Sequence, residues 1–363
     1  MLHLKKPAQL DWLLTGSILF LLALGLLEIY SLSPSLDGGF LNFKKQFFFT
    51  ILGICLMTLF SFFDYRFLRE KTRPVIIFYF IVISLLATLL LIGDPIGGAR
   101  SWFKLGIFSL EPVELAKLVL IIILAKFFSS RHTEIFLARH LIISSAYLIT
   151  PLILVVFQPD LGSALILFFI WVGLLMISGI KKKHLIIAFI ILIIIGISAW
   201  LFFLQNYQKA RILSYLMPEQ DPLGQGYNLV QSLTAISSGG FFGKGLGNGS
   251  VAQLGFLPAR HTDFIFASIV EEMGLVGGII ILLAYLIIFW RLIKISVKSK
   301  DNFGRLLTMG TFIFLTSHCL INLGMNVGIM PITGISLPLV SYGGSGLITT
   351  SILLGLTIGI DKK

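Results

Sequence analysis

Long apolar stretches recur along the whole chain, and each is long enough to cross a membrane. A hydrocarbon core of about 30 Å needs an α-helix of about 17 to 25 residues. Ten apolar stretches of about this length cover residues 12–32, 46–63, 74–92, 112–128, 141–157, 161–178, 185–204, 264–290, 306–326 and 339–360. The sequence therefore predicts an all-α polytopic membrane protein with about ten transmembrane helices.

The composition excludes a water-soluble fold. The chain of 363 residues is 56% hydrophobic and only 12% charged, whereas soluble domains carry about 25% charged residues. Because no connection between the apolar stretches is suited to a soluble domain, we predict one membrane domain that spans residues 1–363. Its longest connection is the outer loop 205–262, which joins predicted helices seven and eight.

The basic residues predict the orientation of the chain. A net charge of +11 could suggest nucleic-acid binding, but in a membrane protein the side on which Lys and Arg lie matters more than their sum. If the N-terminus is cytoplasmic, most of the 28 Lys and Arg residues fall in inner loops. We therefore predict that both termini are cytoplasmic, that the loop 205–262 is outside, and that there is no nucleic-acid partner.

Charged residues within or beside the apolar stretches are candidates for function, because they are costly there. Glu114 and Lys117 lie three positions apart on one helix face, where they can pair; a purely structural ion pair is the alternative. Asp160 closes a Gln-Pro-Asp turn, and a helix cap is its alternative role. Glu271 and Glu272 are adjacent, so we expect one to face a cavity and the other a partner helix.

Asp263 is the strongest candidate, because it ends the outer loop where the eighth span begins. A carboxylate at that place can cap the helix or interact with its dipole. We also expect it to lie at the rim of a membrane cavity, within reach of a predicted basic set. That set is formed by Arg100, Lys117, Lys244 and Arg260. Such a site suits an anionic substrate that arrives in the membrane.

The glycine-rich stretch 239–247 suggests nucleotide binding, but it fails the pattern G-x-x-x-x-G-K-S/T. Gly243-Lys244 is followed by Gly245 instead of Ser or Thr, and Ser238 stands in place of the first Gly. Closely spaced glycines still let backbone N–H groups approach a phosphate. A pyrophosphate cradle assisted by Lys244 is therefore kept as a hypothesis.

Five ordered blocks of the sequence carry a family resemblance. They are GGARSW at 97–102 with EPVELAK at 111–117, QPDLGSA at 158–164, the stretch 235–247, HTDFIFA at 261–267 with Glu271-Glu272, and PLVSYGGS at 338–345. Together they resemble the SEDS family (shape, elongation, division and sporulation) of membrane peptidoglycan glycosyltransferases over nearly the whole chain. Residues 221–227 and 330–338 resemble the RodA branch more than the FtsW branch. One departure is Ala259, where the family usually has an acidic residue.

The resemblance implies a reaction. Members of this family polymerise lipid II, a disaccharide-pentapeptide on undecaprenyl pyrophosphate, into glycan strands at the outer face of the bacterial cytoplasmic membrane. The RodA branch does so for cell elongation and rod shape. An inverting transfer needs one base and no covalent intermediate, and the resemblance assigns the base to Asp263. It assigns substrate binding to Arg100, Glu114, Lys117, Gln158, Asp160, Lys244, His261 and Ser341.

The resemblance also bears on cofactors and partners. It does not firmly imply any cofactor, and it leaves room for a divalent cation, Mg²⁺ or Mn²⁺, with Asp160 as the candidate metal ligand. It implies a class B penicillin-binding protein, a transpeptidase, as partner. Three alternatives remain: an FtsW-type division polymerase, a flippase that moves lipid II without making bonds, and a scaffold whose polar residues only hold helices together. A flippase has no need for a base at Asp263.

Overall fold

The computed structural model describes residues 11–36, 39–93, 101–105, 108–130, 138–179 and 224–362. In these ranges the chain forms twelve α-helices, a 3₁₀-helix at Ser33–Ser35 and one antiparallel pair of strands, β1 (Phe103–Leu105) and β2 (Phe108–Leu110). The helices are α1 (Trp12–Leu32), α2 (Phe40–Phe62), α3 (Arg66–Glu70), α4 (Thr72–Ile92), α5 (Pro112–Ser129), α6 (Ala138–Phe157), α7 (Leu161–Ile177), α8 (Gln225–Gly239), α9 (Ser250–Gln253), α10 (Ile265–Lys298), α11 (Asn302–Asn326) and α12 (Gly344–Asp361).

Seven helices in the described ranges are long and apolar enough to cross a membrane, judged by length and composition. They are α1, α2, α4, α6, α10, α11 and α12. Helix α7 is apolar but has 17 residues, and the 18-residue α5 contains three charged residues, Glu114, Lys117 and Lys126. The predicted polytopic helical membrane fold is confirmed. The predicted span 185–204 lies outside the described residues.

Helix α5 lies at the centre of the bundle. Nearly every residue from Pro112 to Phe128 is buried, and α5 packs against α4, α6, α7, α11 and α12. A helix surrounded by protein can carry charges that a lipid-facing helix cannot, which explains Glu114 and Lys117 in this element. By contrast, large apolar side chains such as Leu91 on α4 are exposed at the surface, which suits a surface that faces lipid acyl chains.

Glycines bring the segment before α12 close to α1. A Cβ added to Gly25 of α1 would overlap the backbone of Val340, and a Cβ on Gly355 of α12 would lie 2.5 Å from the carbonyl oxygen of Met57 on α2. Small residues at helix contacts let backbones approach closely in membrane bundles. The Gly25 contact places Val340, in the segment 335–343 between α11 and α12, against α1, and the Gly355 contact places α12 against α2.

Helix α10 is interrupted at Gly274, although the sequence predicts a continuous span over 264–290. Gly274 has φ 73° and ψ −175°, a conformation that residues with a side chain rarely adopt. The segment 240–245 pairs with the interrupted backbone, because Leu275 N–H donates to the Gly240 carbonyl at 2.9 Å. The helix then continues to Lys298, about two turns beyond the predicted end.

The glycine-rich stretch therefore joins this break in α10. The N–H groups of Lys244 and Gly245 donate to the carbonyls of Glu271 (3.0 Å) and Glu272 (2.9 Å). The N–H of Gly247 donates to the Glu272 carboxylate at 3.0 Å. Because these N–H groups are used within the protein, they do not form the hypothesised phosphate cradle in this structure. The predicted outer loop 205–262 also contains α8 and α9 in its described part.

Glu28 is a buried acidic residue of α1 that sequence analysis left unassigned. Its side chain is fully buried, and neither carboxyl oxygen has a hydrogen-bond partner among the described residues. Such an unsatisfied buried polar group costs about 1–3 kcal/mol. We therefore expect Glu28→Met to raise the free energy of unfolding by about this amount, measured as a higher melting temperature in detergent.

The matched control for this prediction is Leu21→Met, which changes shape at another buried position of α1. We expect that variant to lose less than about 1.5 kcal/mol, because the swap conserves volume. A Glu28→Met protein that melts below wild type would contradict the prediction and would show that Glu28 stabilises the native state.

Candidate active site

The turn formed by residues 259–263, called the Asp263 turn below, leads into α10. Three successive carbonyls of this turn accept hydrogen bonds from other segments. The N–H of Tyr342 donates to the His261 carbonyl at 2.9 Å, and Ser341 Oγ donates to the Thr262 carbonyl at 2.6 Å. The Asp263 carbonyl is held from α11. The backbone that carries Asp263 is therefore fixed from two sides.

Asn322 and Asn326, one turn apart on α11, hold the Asp263 carbonyl. Their Nδ2 atoms lie 2.8 Å and 3.0 Å from it, and both side chains are fully buried. Asn326 Oδ1 also accepts the N–H of Ala267 at 3.1 Å, in the first turn of α10. Sequence analysis missed these residues. The available signal was two amide side chains spaced i, i+4 at the end of an apolar helix.

Asp263 is not the cap of α10. The N-cap residue is Phe264, and no side-chain hydrogen bond caps the helix. The Asp263 side chain is half-buried, and its Oδ2 would lie 3.6 Å from a Cβ added to Gly334. The carboxylate is therefore near the connection between α11 and α12 and partly accessible, as a reacting group must be.

His261 packs its ring against Tyr342, with the ring centroids 5.4 Å apart. Burial, and secondarily the charge of Arg260, lower the pKa of His261 below its ordinary value. The imidazole is therefore neutral at neutral pH. A neutral ring suits the packed position in the Asp263 turn.

Acidification is expected to destabilise the protein in part through His261. Because the folded-state pKa is depressed, the unfolded chain binds the proton more readily, so stability falls as the pH drops below the unfolded-state value of about 6.5. We expect the melting temperature of His261→Phe to fall less than that of wild type when the pH is lowered from about 7.5 to about 5.5. Equal losses in the two proteins would contradict this assignment.

A buried polar chain lies on α5 and α11 close to the segment that holds the Asp263 turn. Lys117 Nζ is 2.5 Å from Glu114 Oε1 and 3.3 Å from His318 Nε2, while His318 Nδ1 is 3.3 Å from the Ser336 carbonyl. The predicted pairing of Glu114 with Lys117 is thus present. It is connected through His318 to residues 335–343.

A small cavity of about 10 Å³ adjoins this chain and is lined by Glu114, His318 and Ser341, among others. That volume holds about one water molecule. Glu114 Oε2 has no hydrogen-bond partner among the described residues, and a water molecule there would supply one. The Ser341 hydroxyl already makes two hydrogen bonds within the protein. It donates to the Thr262 carbonyl and accepts the N–H of Leu337 at 2.9 Å. Its substrate-binding role stays a prediction.

Gln158 and Asp160 both have structural partners. Gln158 is fully buried, and its Nε2 donates to the Leu86 carbonyl at 2.8 Å. Asp160 Oδ1 accepts the N–H of Ser163 at 3.0 Å and caps α7. This is the helix-cap role that the sequence offered as the alternative to a functional role. Within the described ranges, no group of three or more His, Cys, Asp or Glu side chains is arranged to hold a metal ion. The substrate and cation roles of Asp160 stay predictions.

Glu111 is an acidic neighbour of this site that sequence analysis did not select. Burial, followed by repulsion from Glu114, raises the pKa of Glu111 to about 8, although the charge of Lys117 acts in the opposite direction. Its backbone N–H donates to Ser345 Oγ at 3.0 Å. Glu111 could have been selected from the sequence, because it is the first residue of the EPVELAK block at 111–117 that carries the family resemblance.

The described members of the basic set predicted around Asp263 have partners inside the protein. Lys244 Nζ lies 2.7 Å from Glu271 Oε1, and Arg260 donates to the Ser35 carbonyl. Arg100 lies outside the described residues. An anionic substrate would therefore have to share Lys244 with Glu271.

The expectation that one of Glu271 and Glu272 faces a cavity is wrong. Glu271 accepts the N–H groups of Val251 (2.9 Å) and Ala252 (2.8 Å). Glu272 accepts hydrogen bonds from Gln253 Nε2 and Ser31 Oγ, each at 2.7 Å. Because chain segments cover this part of α10 on more than one side, both carboxylates are used to hold α9 and α1 against it.

Comparisons with known proteins identify the family. The family model for FtsW, RodA and SpoVE, described as "Cell cycle protein", matches residues 11–363. Stage V sporulation protein E of Bacillus subtilis (strain 168) is 34% identical over 367 residues, which is 98% of each chain. Peptidoglycan glycosyltransferase MrdB of Escherichia coli (strain K12) is 38% identical over 282 residues, covering 78% of this chain and 76% of MrdB.

A solved structure supports the same relationship. A chain from "Structural coordination of polymerization and crosslinking by a peptidoglycan synthase complex" superposes with a TM-score of 0.81 and 32% identity, covering 97% of each chain. The likeness thus extends to the three-dimensional arrangement of the helices. The family model and the full-length relative agree with this fold, and the chain belongs to the FtsW, RodA and SpoVE family of cell cycle proteins, the SEDS family.

Proposed function

We propose that the chain is a peptidoglycan glycosyltransferase that polymerises lipid II at the outer face of the bacterial cytoplasmic membrane. The observation that carries the proposal is the Asp263 turn, whose backbone is fixed by hydrogen bonds to three successive carbonyls while its carboxylate stays partly accessible. A rigid backbone that presents a carboxylate is what a positioned general base requires. The relative MrdB is named a peptidoglycan glycosyltransferase, which supports this reaction.

In the proposed reaction Asp263 takes the proton from the 4-hydroxyl of the acceptor GlcNAc. The hydroxyl oxygen bonds to C1 of the donor MurNAc, and the bond from C1 to the pyrophosphate oxygen breaks with its electron pair leaving on the pyrophosphate. The configuration at C1 inverts from α to β in a single displacement. No covalent enzyme intermediate and no cofactor are needed for these bond changes.

The leaving pyrophosphate needs its charge neutralised more than it needs a proton. We propose that Arg100 and Lys244 supply positive charge to it. Lys244 is 28% exposed and shares its ammonium group with Glu271, so it can accept a second anionic partner. Lys117 is fully buried beside Glu114, and we assign it to positioning residues 335–343 through His318.

We further propose that the enzyme serves cell elongation with a class B penicillin-binding protein as its partner. Residues 221–227 and 330–338 resemble the RodA branch, and the structurally similar chain comes from a peptidoglycan synthase complex that coordinates polymerisation and crosslinking. The chain should restore rod shape when produced in a rod-shaped host depleted of its elongation polymerase. Rescue only of a host depleted of its division polymerase would contradict the elongation role.

The test of the proposed function is polymer formation from lipid II by the purified protein in liposomes. We expect glycan chains that a muramidase digests, with longer or more abundant chains when the transpeptidase partner is present. A protein that moves lipid II between leaflets and makes no polymer, alone or with its partner, would contradict the enzyme and favour the flippase.

A further inference from the structure

A cavity of about 540 Å³ opens at the end of the bundle opposite Asp263, between α3, the ends of α4, α5 and α11, and the middle of α6. Helix α11 shows the separation, because Asn302 at its start lines this cavity, whereas Asn326 at its end contacts the Asp263 turn. A helix of 25 residues is about 37 Å long. The cavity is therefore separate from the proposed active site.

The walls of the cavity change from polar to apolar with depth. On α4, Thr72 lines the cavity at the helix start, and Ile76 lines it one turn deeper. On α5, Ser130 follows the helix end, Lys126 lies one turn inside, and Ile123 lies deeper. The polar end is thus at the helix termini and the apolar end is within the bundle. This order matches an amphiphile whose headgroup lies at the membrane surface.

The polar end carries a cation that is not neutralised by a described carboxylate. Arg69 is paired with Asp301 at 3.4 Å, and Asp301 also caps α11 by accepting the Gly304 N–H at 2.7 Å. Lys126 instead donates to the carbonyls of Leu68 (2.9 Å) and Arg69 (2.8 Å). These neutral acceptors occupy two of the three donors of an ammonium group. Arg69 is also paired with Glu70 at 3.3 Å, so Lys126 is the cation of the cavity that no described carboxylate offsets.

We propose that this cavity binds the phosphate headgroup of an anionic phospholipid, with Lys126 donating to the phosphate. The first part of an acyl chain then lies against Ile76, Ile123 and Phe127. A free inorganic phosphate shares the charge but leaves the apolar wall in contact with water. Hydrogen bonds between charged groups are strong enough that loss of the Lys126 ammonium weakens binding by about tenfold or more.

The test measures the apparent Kd for short-chain phosphatidylglycerol on the full-length protein in detergent, from the rise in melting temperature as the lipid is added. Phosphatidylcholine and inorganic phosphate are the comparison probes. We expect phosphatidylglycerol to stabilise wild type more than either, and Lys126→Met to weaken it by about tenfold or more. Arg73→Met is the matched control, because Arg73 is exposed on the first turn of α4 and does not line the cavity.

A second variant keeps the cation and fills the apolar end. Ile76→Trp should weaken phosphatidylglycerol binding and leave any effect of inorganic phosphate unchanged. Three results would each overturn the proposal. The first is that phosphatidylcholine stabilises wild type as much as phosphatidylglycerol does, and the second is that Lys126→Met and Arg73→Met weaken phosphatidylglycerol binding equally. The third is that inorganic phosphate stabilises the protein as the lipid does and that Ile76→Trp changes both effects alike. The melting temperature reports lipid binding, and the substituted residues lie at the end of the bundle opposite Asp263. The result is therefore independent of polymerisation activity.

Discussion

Asp263→Asn is expected to lower the initial rate of lipid II polymerisation by about 10² to 10⁴-fold, the range that a positioned general base contributes. The amide is nearly isosteric with the carboxylate, but it cannot take the proton of the acceptor hydroxyl. The contacts that fix the turn use the Asp263 carbonyl, which the variant keeps. We therefore expect its melting temperature to stay close to that of wild type. The measurement is the rate of glycan formation per folded protein in liposomes.

The control for this variant is Asp301→Asn, which makes the same chemical change at a helix start on the other end of the bundle. Asp301 is the N-cap of α11, and Asn is also a good N-cap residue. Asp301→Asn should therefore retain polymerisation. A comparable loss of rate in both variants would show that the effect is one of folding, and wild-type activity in Asp263→Asn would remove Asp263 from the chemistry.

Lys117→Met is expected to lower the free energy of unfolding by about 3–5 kcal/mol, the usual cost of removing one partner from a buried ion pair. Lys117 is fully buried and lies 2.5 Å from Glu114. Without the ammonium group, the Glu114 carboxyl is left buried at the centre of the bundle. Thermal or denaturant unfolding in detergent measures this loss.

The matched control is the double variant Glu114→Gln with Lys117→Met, which removes both charges. We expect it to recover much of the lost stability, because replacing a buried pair by neutral groups is often nearly neutral in free energy. A double variant that is as unstable as Lys117→Met would show that the two residues do not stabilise each other.

The sequence predicted the membrane fold because the apolar stretches are a local signal. The Glu114 and Lys117 pair was also predictable, since both residues lie on one helix face three positions apart. The break at Gly274 was not, because it depends on the segment 240–245, which supplies hydrogen bonds to the interrupted helix. Periodicity along α10 contains no information about that pairing.

The candidate site was predictable only in part for a similar reason. Asp263 stands out in the sequence as a carboxylate between a loop and an apolar stretch. The groups that fix its backbone come from Asn322 and Asn326 about 60 residues away and from Ser341, and this convergence exists only in the folded chain. The roles of Glu271 and Glu272 likewise depend on contacts with α9 and α1.

The role of Asp263 as the base is tested by measuring formation of the first glycosidic bond by wild type and Asp263→Asn, with lipid II binding measured in the same liposomes. We expect both proteins to bind lipid II with similar affinity and only wild type to form the bond. Bond formation at the same rate in both proteins would contradict Asp263 as the base, and loss of binding together with bond formation would place Asp263 in substrate recognition instead.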